Sequence, residues 1–185
     1  MENTFCRNLL MGLASIFGPM LAGCEEKELP DLVNNTPSDI TAVVNGTDWK
    51  ATPGTYRLGT RVINNGASAF VGSGDTLTVM GVQVQGSDTT AIVLSVKLRT
   101  DRVGTYRFRS NATGDGKAYF VRGLSAAALQ ETKKKYNGGI TNGELQVTQF
   151  DAANYKVTGN FAFSMSASGE TTYTVVAGKI QNITF

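Results

Sequence analysis

From residue 40 onward, apolar and polar side chains alternate along the chain with a period of two, and clusters of Gly, Asn and Asp interrupt the alternation. This period is typical of β-strands that bury one face, because successive side chains point to opposite sides of a sheet. The hairpin signal Asn45-Gly46 separates the extended segments 40–44 and 47–50. We therefore expect an all-β domain, an antiparallel sandwich or flattened barrel of about nine or ten strands in sequential order.

The last two predicted strands show the pattern most clearly. In the segment 156–167 one face is apolar and the other carries Thr, Asn and Ser; the apolar residues are Val157, Phe161, Phe163 and Met165. In the segment 171–185 the parity slips at Gly178, from Val176 inward to Ile183 and Phe185 inward. A one-residue slip of this kind predicts a β-bulge at Gly178.

Two segments are harder to assign from the pattern. Residues 54–63 predict a single strand before the Asn64-Asn65-Gly66 turn. The stretch from Leu124 to Tyr136 leaves two alternatives open: a short helix capped by Ser125, or an edge strand toward its end.

The composition narrows the chemistry that this domain can perform. The chain has 185 residues and no histidine, and its two cysteines, Cys6 and Cys24, both lie near the start. One domain accounts for this length. The absence of histidine and of later thiols excludes zinc fingers, Cys-His nucleophiles and Ser-His-Asp triads, so we expect no cofactor and no metal site.

The first residues resemble a secretion signal that ends in a lipid anchor. The apolar run from Leu9 is interrupted by Gly18-Pro19, which suits a signal peptide better than a membrane span. The sequence Leu21-Ala22-Gly23-Cys24 resembles the lipobox of bacterial lipoproteins. That resemblance implies that residues 1–23 are removed, that Cys24 receives acyl chains such as palmitate, and that these chains hold the protein in a membrane.

Charge divides the remaining chain into an acidic tether, residues 24–39, and a β domain, residues 40–185. The tether carries five acids after Cys24 and the single base Lys27, whereas the β domain has 15 basic and nine acidic residues, a net charge of +6. Glu25, Glu26 and Glu28 resemble the export signals of Bacteroidota surface lipoproteins, which implies an outer-membrane protein on the cell surface. A plain solvated linker is the alternative.

Several motifs of the β domain resemble a wider group of sequences. Gly143–Asp151, Val157–Phe163, Val44–Trp49 and Gly104–Tyr106 are similar to segments of uncharacterised Bacteroidota lipoproteins. The resemblance implies a β-sandwich-like domain on a lipid anchor, and it supplies no site residues.

Carboxylates are the remaining candidates for acid–base catalysis. They lie singly beside Gly, Asn, Ser or Thr in predicted turns, at Asp48, Asp75, Asp88, Asp101, Asp115, Asp151 and Glu170. Turn aspartates usually bind backbone amides, whereas a glycosidase needs a pair of carboxylates in a suitable setting. We therefore expect a non-catalytic protein, with a glycan-directed hydrolase that uses turn carboxylates as the alternative. Calcium has no matching ligand loop.

Basic residues form the sharpest pattern. Ile92, Leu94, Val96 and Leu98 share one parity, which predicts that Lys97 and Arg99 face solvent. In the next segment Arg107 and Arg109 alternate with inward aromatics, and Arg102 lies in the connection between the two segments. A short connection predicts a hairpin, so these five residues form a candidate anion-binding patch on two adjacent strands. The alternative is an ordinary solvated face.

These observations predict a lipid-anchored envelope module, either a binding or a structural protein. Its candidate partners are the membrane, through Cys24, and an acidic polysaccharide or lipopolysaccharide phosphate; nucleic acid is not expected, because the cationic face has no interleaved aromatics. Trp49 and Tyr56 are the early aromatics that the pattern leaves unassigned to the core. Thr76 and Thr89 follow aspartates in short sequences that resemble O-glycosylation sites of exported Bacteroidota proteins.

Overall fold

The computed structural model of the protein describes residues 38–109, 114–136 and 140–185, without the side chain of Ile140. Ten strands of these ranges form one sheet, in the order β2-β1-β12-β11-β10-β8-β9-β7-β6-β5, and two more form the β3–β4 hairpin. The elements are β1 (Asp39–Val44), β2 (Thr47–Lys50), β3 (Tyr56–Leu58), β4 (Arg61–Ile63), β5 (Ala67–Gly72), β6 (Thr76–Gln85), β7 (Asp88–Lys97), β8 (Gly104–Arg109), β9 (Gly116–Arg122), α1 (Ala126–Tyr136), β10 (Ile140–Asp151), β11 (Lys156–Ser166) and β12 (Tyr173–Thr184). The all-β prediction is confirmed.

The large sheet curls into a half-barrel because its first edge packs back onto β6 and β7. Trp49 on β2 is buried, and its indole Nε1 donates a 2.9 Å hydrogen bond to Thr90 Oγ1 on β7. A Cβ added at Gly81 of β6 would lie 3.0 Å from the Trp49 ring. The Thr52 N–H donates to the Val82 carbonyl at 2.8 Å. Trp49 is therefore a core residue and not a surface platform.

Inward-facing residues of nearly all strands fill the half-barrel. The alternation predicted for the segment 156–167 is confirmed, since Val157, Phe161, Phe163 and Met165 are all buried in this interior. They pack with Tyr106 and other large side chains, and the rings of Phe108 and Phe163 meet edge to face at 6.2 Å. Burial of this contiguous apolar surface is the main force that holds the sheet closed.

A second apolar cluster lies on the outer face of β6, β7 and β9. The β3–β4 hairpin contributes Leu58 and Ile63, α1 contributes half-buried Leu129, and the sheet contributes Met80, Val82, Ala91, Val93 and Val121. These strands are therefore buried on both faces. The prediction that the Lys97 face of β7 is solvated holds at Lys97 itself but is wrong at Ala91 and Val93, because the hairpin and helix cover them.

The segment 54–63 is two short strands and not one. Gly59 has a φ of 63° between β3 and β4, and the chain reverses there, so that Tyr56 pairs with Ile63. Glycine adopts this left-handed backbone without a steric penalty. The reversal turns both Leu58 and Ile63 toward the second cluster.

Of the two alternatives for residues 124–136, a helix or an edge strand, the structure has the helix. The Ser125 hydroxyl accepts a 3.0 Å hydrogen bond from the Ala128 N–H, which is the geometry of an N-cap. α1 has 11 residues, and it buries Tyr136. Within the described residues, no helix has the length and apolar character needed to cross a bilayer.

The predicted bulge at Gly178 is present, but the residue that faces the core before it is Val175 and not Val176. Val175 is buried, whereas Val176 is 44% exposed. Positive φ values at Ala177 (51°) and Asn182 (47°) mark two irregular steps, so that Gly178, Ile180 and Ile183 also face the core. A Cβ at Gly178 would lie 2.5 Å from the Phe161 ring, which explains the glycine.

The predicted pairing of the two cationic strands is wrong. β9 lies between β7 and β8: it pairs with β7 along its whole length, from Gly116 opposite Val96 to Arg122 opposite Thr90. β8 instead pairs antiparallel with β10 and meets β9 at one parallel position. The physical reason is that the long β7 edge satisfies its backbone hydrogen bonds with β9, a later segment that the local turn does not reveal.

Candidate anion-binding site

Asp115 joins the end of β7 to β8. Its backbone carbonyl accepts from the Lys97 N–H at 2.9 Å, and its own N–H donates to the Arg107 carbonyl at 2.9 Å. Its carboxylate accepts from the Arg107 N–H at 2.8 Å. Asp115 therefore satisfies backbone groups of two strands that do not pair with each other.

Glycines on both sides of Asp115 make this close approach possible. A Cβ at Gly116 would lie 2.1 Å from the Ser95 carbonyl oxygen, and one at Gly114 would lie 2.9 Å from the Arg109 nitrogen. Such distances exclude any side chain without backbone movement. The sequence predicts Asp115 as a turn aspartate, and the glycines on both sides of it are the signal in the sequence that the chain is tightly packed at this point.

Arg99 is held over the same carboxylate. Its Nη2 donates to the Thr105 carbonyl at 2.6 Å and to Asp115 Oδ2 at 3.4 Å. The guanidinium carbon lies 5.0 Å from the centre of the buried Tyr106 ring, a cation–π distance. Because the contacts fix its orientation, Arg99 loses little side-chain entropy when it binds a ligand.

Arg107 and Arg109 project outward from β8, as predicted, while Tyr106 and Phe108 are fully buried. In the part of the chain that the structure describes, neither arginine forms an ion pair. Together with Arg99, Thr105 and Asp115 they line an open depression of about 430 Å³. Three guanidinium groups against one carboxylate leave this depression with a positive charge.

Of the five predicted residues, the structure therefore brings three into one depression, which is called the arginine site below: Arg99, Arg107 and Arg109. Lys97 is exposed on the other side of Asp115 and lines a neighbouring groove. Arg102 lies apart, with its guanidinium carbon 5.1 Å from the centre of the Phe150 ring. That ring is 4.7 Å from Phe185, which also contacts the 60% exposed Tyr155.

The hydrolase alternative requires two neighbouring carboxylates, and one such pair, Glu131 and Glu170, lies beside α1. Lys135 Nζ lies 3.2 Å from Glu131 and 3.5 Å from Glu170, so these two carboxylates share one ammonium. The hydrogen bond that Lys135 donates to Glu131 raises the pKa of Lys135 most, and the negative charges of Glu170 and Glu131 raise it further. Glu131 is 66% exposed, which does not supply the apolar setting of a general acid. Among the described residues no group of three or more acidic or thiol ligands is placed to hold a metal.

No protein-family model, curated protein or solved structure matches this chain. The resemblance to Bacteroidota lipoproteins therefore stays a prediction, as do the glycosylation sites; Thr76 and Thr89 are half-buried in β6 and β7. Cys24, Glu25, Glu26 and Glu28 lie outside the described residues, whereas Asp39, at the end of the predicted tether, begins β1 and pairs with Lys50 at 2.8 Å.

Proposed function

We propose that this protein is a non-catalytic, lipid-anchored module of the bacterial cell envelope that binds a polyanion, such as an acidic polysaccharide, at the arginine site. The observation that carries the proposal is the placement of Arg99, Arg107 and Arg109 around one depression whose single carboxylate already accepts two hydrogen bonds. Guanidinium groups bind carboxylate and phosphate oxygens in a fork geometry that lysine lacks.

The energetics favour an external anion over an unliganded site. Exposed like charges that lie close together repel, and within the described ranges Arg107 and Arg109 form no ion pair, although Glu144 of β10 is the cross-strand neighbour of Arg107. An acidic glycan with regularly spaced carboxylates relieves this repulsion and contacts several guanidinium groups at once. Since the groups are solvent-exposed, binding depends strongly on ionic strength.

The test is titration of the full chain with polygalacturonate at low and high salt. We expect Arg107→Gln with Arg109→Gln to weaken binding by at least about tenfold, because two charge-assisted hydrogen bonds are lost. The matched control is Arg57→Gln with Lys179→Gln, which removes two exposed charges that do not line the arginine site. An equal loss in both variants shows that only net charge matters and refutes the site; so does salt-independent binding or none.

The anchor is tested separately. Cys24→Ser is expected to abolish labelling by a fatty-acid probe, and Cys6→Ser is the matched control because Cys6 lies inside the proposed leader. Labelling of Cys24→Ser at the wild-type level contradicts the lipoprotein proposal.

For the proposed surface location, changing Glu25, Glu26 and Glu28 to Ala is expected to protect the protein from external protease on whole cells. If the protease digests the variant as it digests the wild type, these acids are part of the tether and not an export signal.

A further inference from the structure

A second cavity, of about 530 Å³, lies beside the arginine site on the outer face of β6, β7 and β9. The β3–β4 hairpin borders it with Arg61, and α1 borders it with Leu129 and Lys133. This cavity is called the hairpin–helix groove. Its volume falls within the range of small-molecule sites, which is about 300–1,000 Å³.

The floor of the groove changes from polar to apolar along the strands. Cross-strand neighbours form three successive rows, and the floor residues are Thr76 with Lys97, then Thr78 with Ser95 and Lys117, then Met80 with Val93 and Tyr119. In the middle row the Thr78 and Ser95 hydroxyl oxygens are 3.2 Å apart. Met80 and Val93 are buried and belong to the second apolar cluster. One end is therefore cationic, and the other is apolar.

Four cations surround the groove: Arg61, Lys97, Lys117 and Lys133. Among the residues that the structure describes, none of the four forms an ion pair. Arg61 is positioned by Phe70, whose ring centre lies 4.9 Å from the guanidinium carbon. The carboxylate that lines the groove is Asp115, and it is already engaged by Arg99 and the Arg107 N–H. The mouth therefore has unmatched positive charge.

Tyr119 lies where the polar and apolar parts meet. Its partial burial raises the pKa of its hydroxyl further above the ordinary value, which already keeps the group protonated at neutral pH. It can donate a hydrogen bond to an anionic oxygen but cannot itself supply a negative charge. The boundary of the groove thus favours an anion on its polar side.

We propose that the hairpin–helix groove binds an amphiphilic carboxylate, a molecule with one anionic head and a short apolar chain. The head lies among Lys97, Lys117 and Lys133, and the chain packs against the half-buried Tyr119 and Leu129 at the apolar end of the groove. A hydrophilic polyanion leaves the half-buried Tyr119 and Leu129 without an apolar partner, and a neutral lipid leaves the cations unmatched. The inference goes beyond the polyanion function and uses different ligand-binding side chains.

The experiment is calorimetric titration of the full chain with decanoate below its micelle concentration. Decanol and acetate are the comparison ligands, because one lacks the charge and the other lacks the chain. We expect saturable decanoate binding and at least about tenfold weaker binding of each comparison ligand, since each loses one of the two contributions. Decanol binding equal to that of decanoate overturns the proposal, as does equal acetate binding. Decyl phosphate distinguishes the heads: binding at least tenfold tighter than that of decanoate overturns the assignment to a carboxylate.

Variants separate this groove from the arginine site. Lys97→Gln with Lys133→Gln is expected to weaken decanoate binding by about tenfold, whereas Arg107→Gln with Arg109→Gln should change it less than about twofold. Thr78→Phe fills the middle row and should abolish decanoate binding while polygalacturonate binding remains. If Thr78→Phe does not fold, the variant Lys97→Gln with Lys133→Gln is the test of the groove. Unchanged decanoate affinity in the lysine variant overturns the proposal, whatever the result for polygalacturonate.

Discussion

In β6, β7 and β9 the outer face is covered by the β3–β4 hairpin and α1, whereas in β10, β11 and β12 the outer face meets solvent. The first group is called the covered half of the sheet and the second the open half. Val82 and Val121 of the covered half have no exposed surface on that outer face. On its outer face the open half carries the exposed polar residues Glu144, Gln146 and Asn160.

This difference decides what each half can bind. The open half holds a depression of about 220 Å³ whose lining includes Glu144, Gln146, Asn160 and Lys179, with both charge signs present. The covered half holds the larger hairpin–helix groove, because the added hairpin and helix form its walls and its apolar floor. The second layer over the sheet thus provides the walls of a cavity larger than the depression on the open half.

The largest expected effect comes from placing a charge on the covered outer face. Val82→Lys buries an ammonium without a partner and should lower the free energy of unfolding by about 4 kcal/mol or more. Gln146→Lys places the same charge on the open half, where it stays solvated, and should change that energy by less than about 0.5 kcal/mol. Chemical denaturation measures both. Similar losses in the two variants mean that the outer faces do not differ as described.

The hairpin's own contribution is tested by Leu58→Ala. Leu58 is 1% exposed, so its truncation should leave a cavity in the second cluster and cost about 3 kcal/mol of unfolding free energy. Val176→Ala on the open half is the control; it should cost less than about 0.5 kcal/mol because Val176 is 44% exposed. A Leu58→Ala protein as stable as the control shows that the hairpin does not pack on the sheet.

The Trp49–Thr90 hydrogen bond joins β2, at the first edge of the sheet, to β7 of the covered half. Thr90→Val leaves the buried indole N–H without an acceptor and should lower the free energy of unfolding by about 2 kcal/mol. Thr184→Val, at an exposed position of β12, is the matched control. Thermal unfolding followed by Trp49 fluorescence reports the effect. No difference between the variants argues that the bond contributes little to closure.

The smallest expected effect concerns the β10–β11 turn of the open half. Asp151 accepts hydrogen bonds from the Asn154 side chain and from the Asn154 and Ala153 backbone, and these hold the pKa of its carboxyl below its ordinary value. A lowered folded-state pKa stabilises the protein above the ordinary carboxyl value of about 4, and this contribution disappears as the pH falls through the folded-state pKa. Wild type should therefore unfold at a slightly higher temperature than Asp151→Asn at neutral pH, and this advantage should vanish in acid. An advantage that persists in acid means that the carboxylate is not its source.

The sequence by itself determined the strand class, most turns and the direction of the cationic side chains. Alternation fixes which side of a strand faces the core, so the outward placement of Lys97, Arg107 and Arg109 followed from their apolar neighbours. The turn at Asn45-Gly46 followed from residues that tolerate positive φ, here 48° and 82°. Such features depend on local sterics and on a residue's immediate neighbours, and both can be inferred from the order of amino acids.

The tertiary structure alone decided which strands are neighbours and which outer face is covered. Nothing near Asp101 indicates that β9, a later segment, pairs with β7, or that Asp115 bonds to Arg99 and Arg107. Nor does the run from Ala91 to Leu94 identify the hairpin and helix that cover it. Pairing between distant segments is set by which combination buries the most apolar surface and satisfies the most backbone groups, a property of the whole chain. Both proposed sites lie where segments that are distant in the sequence meet: the arginine site at Asp115, and the hairpin–helix groove between the β3–β4 hairpin and α1.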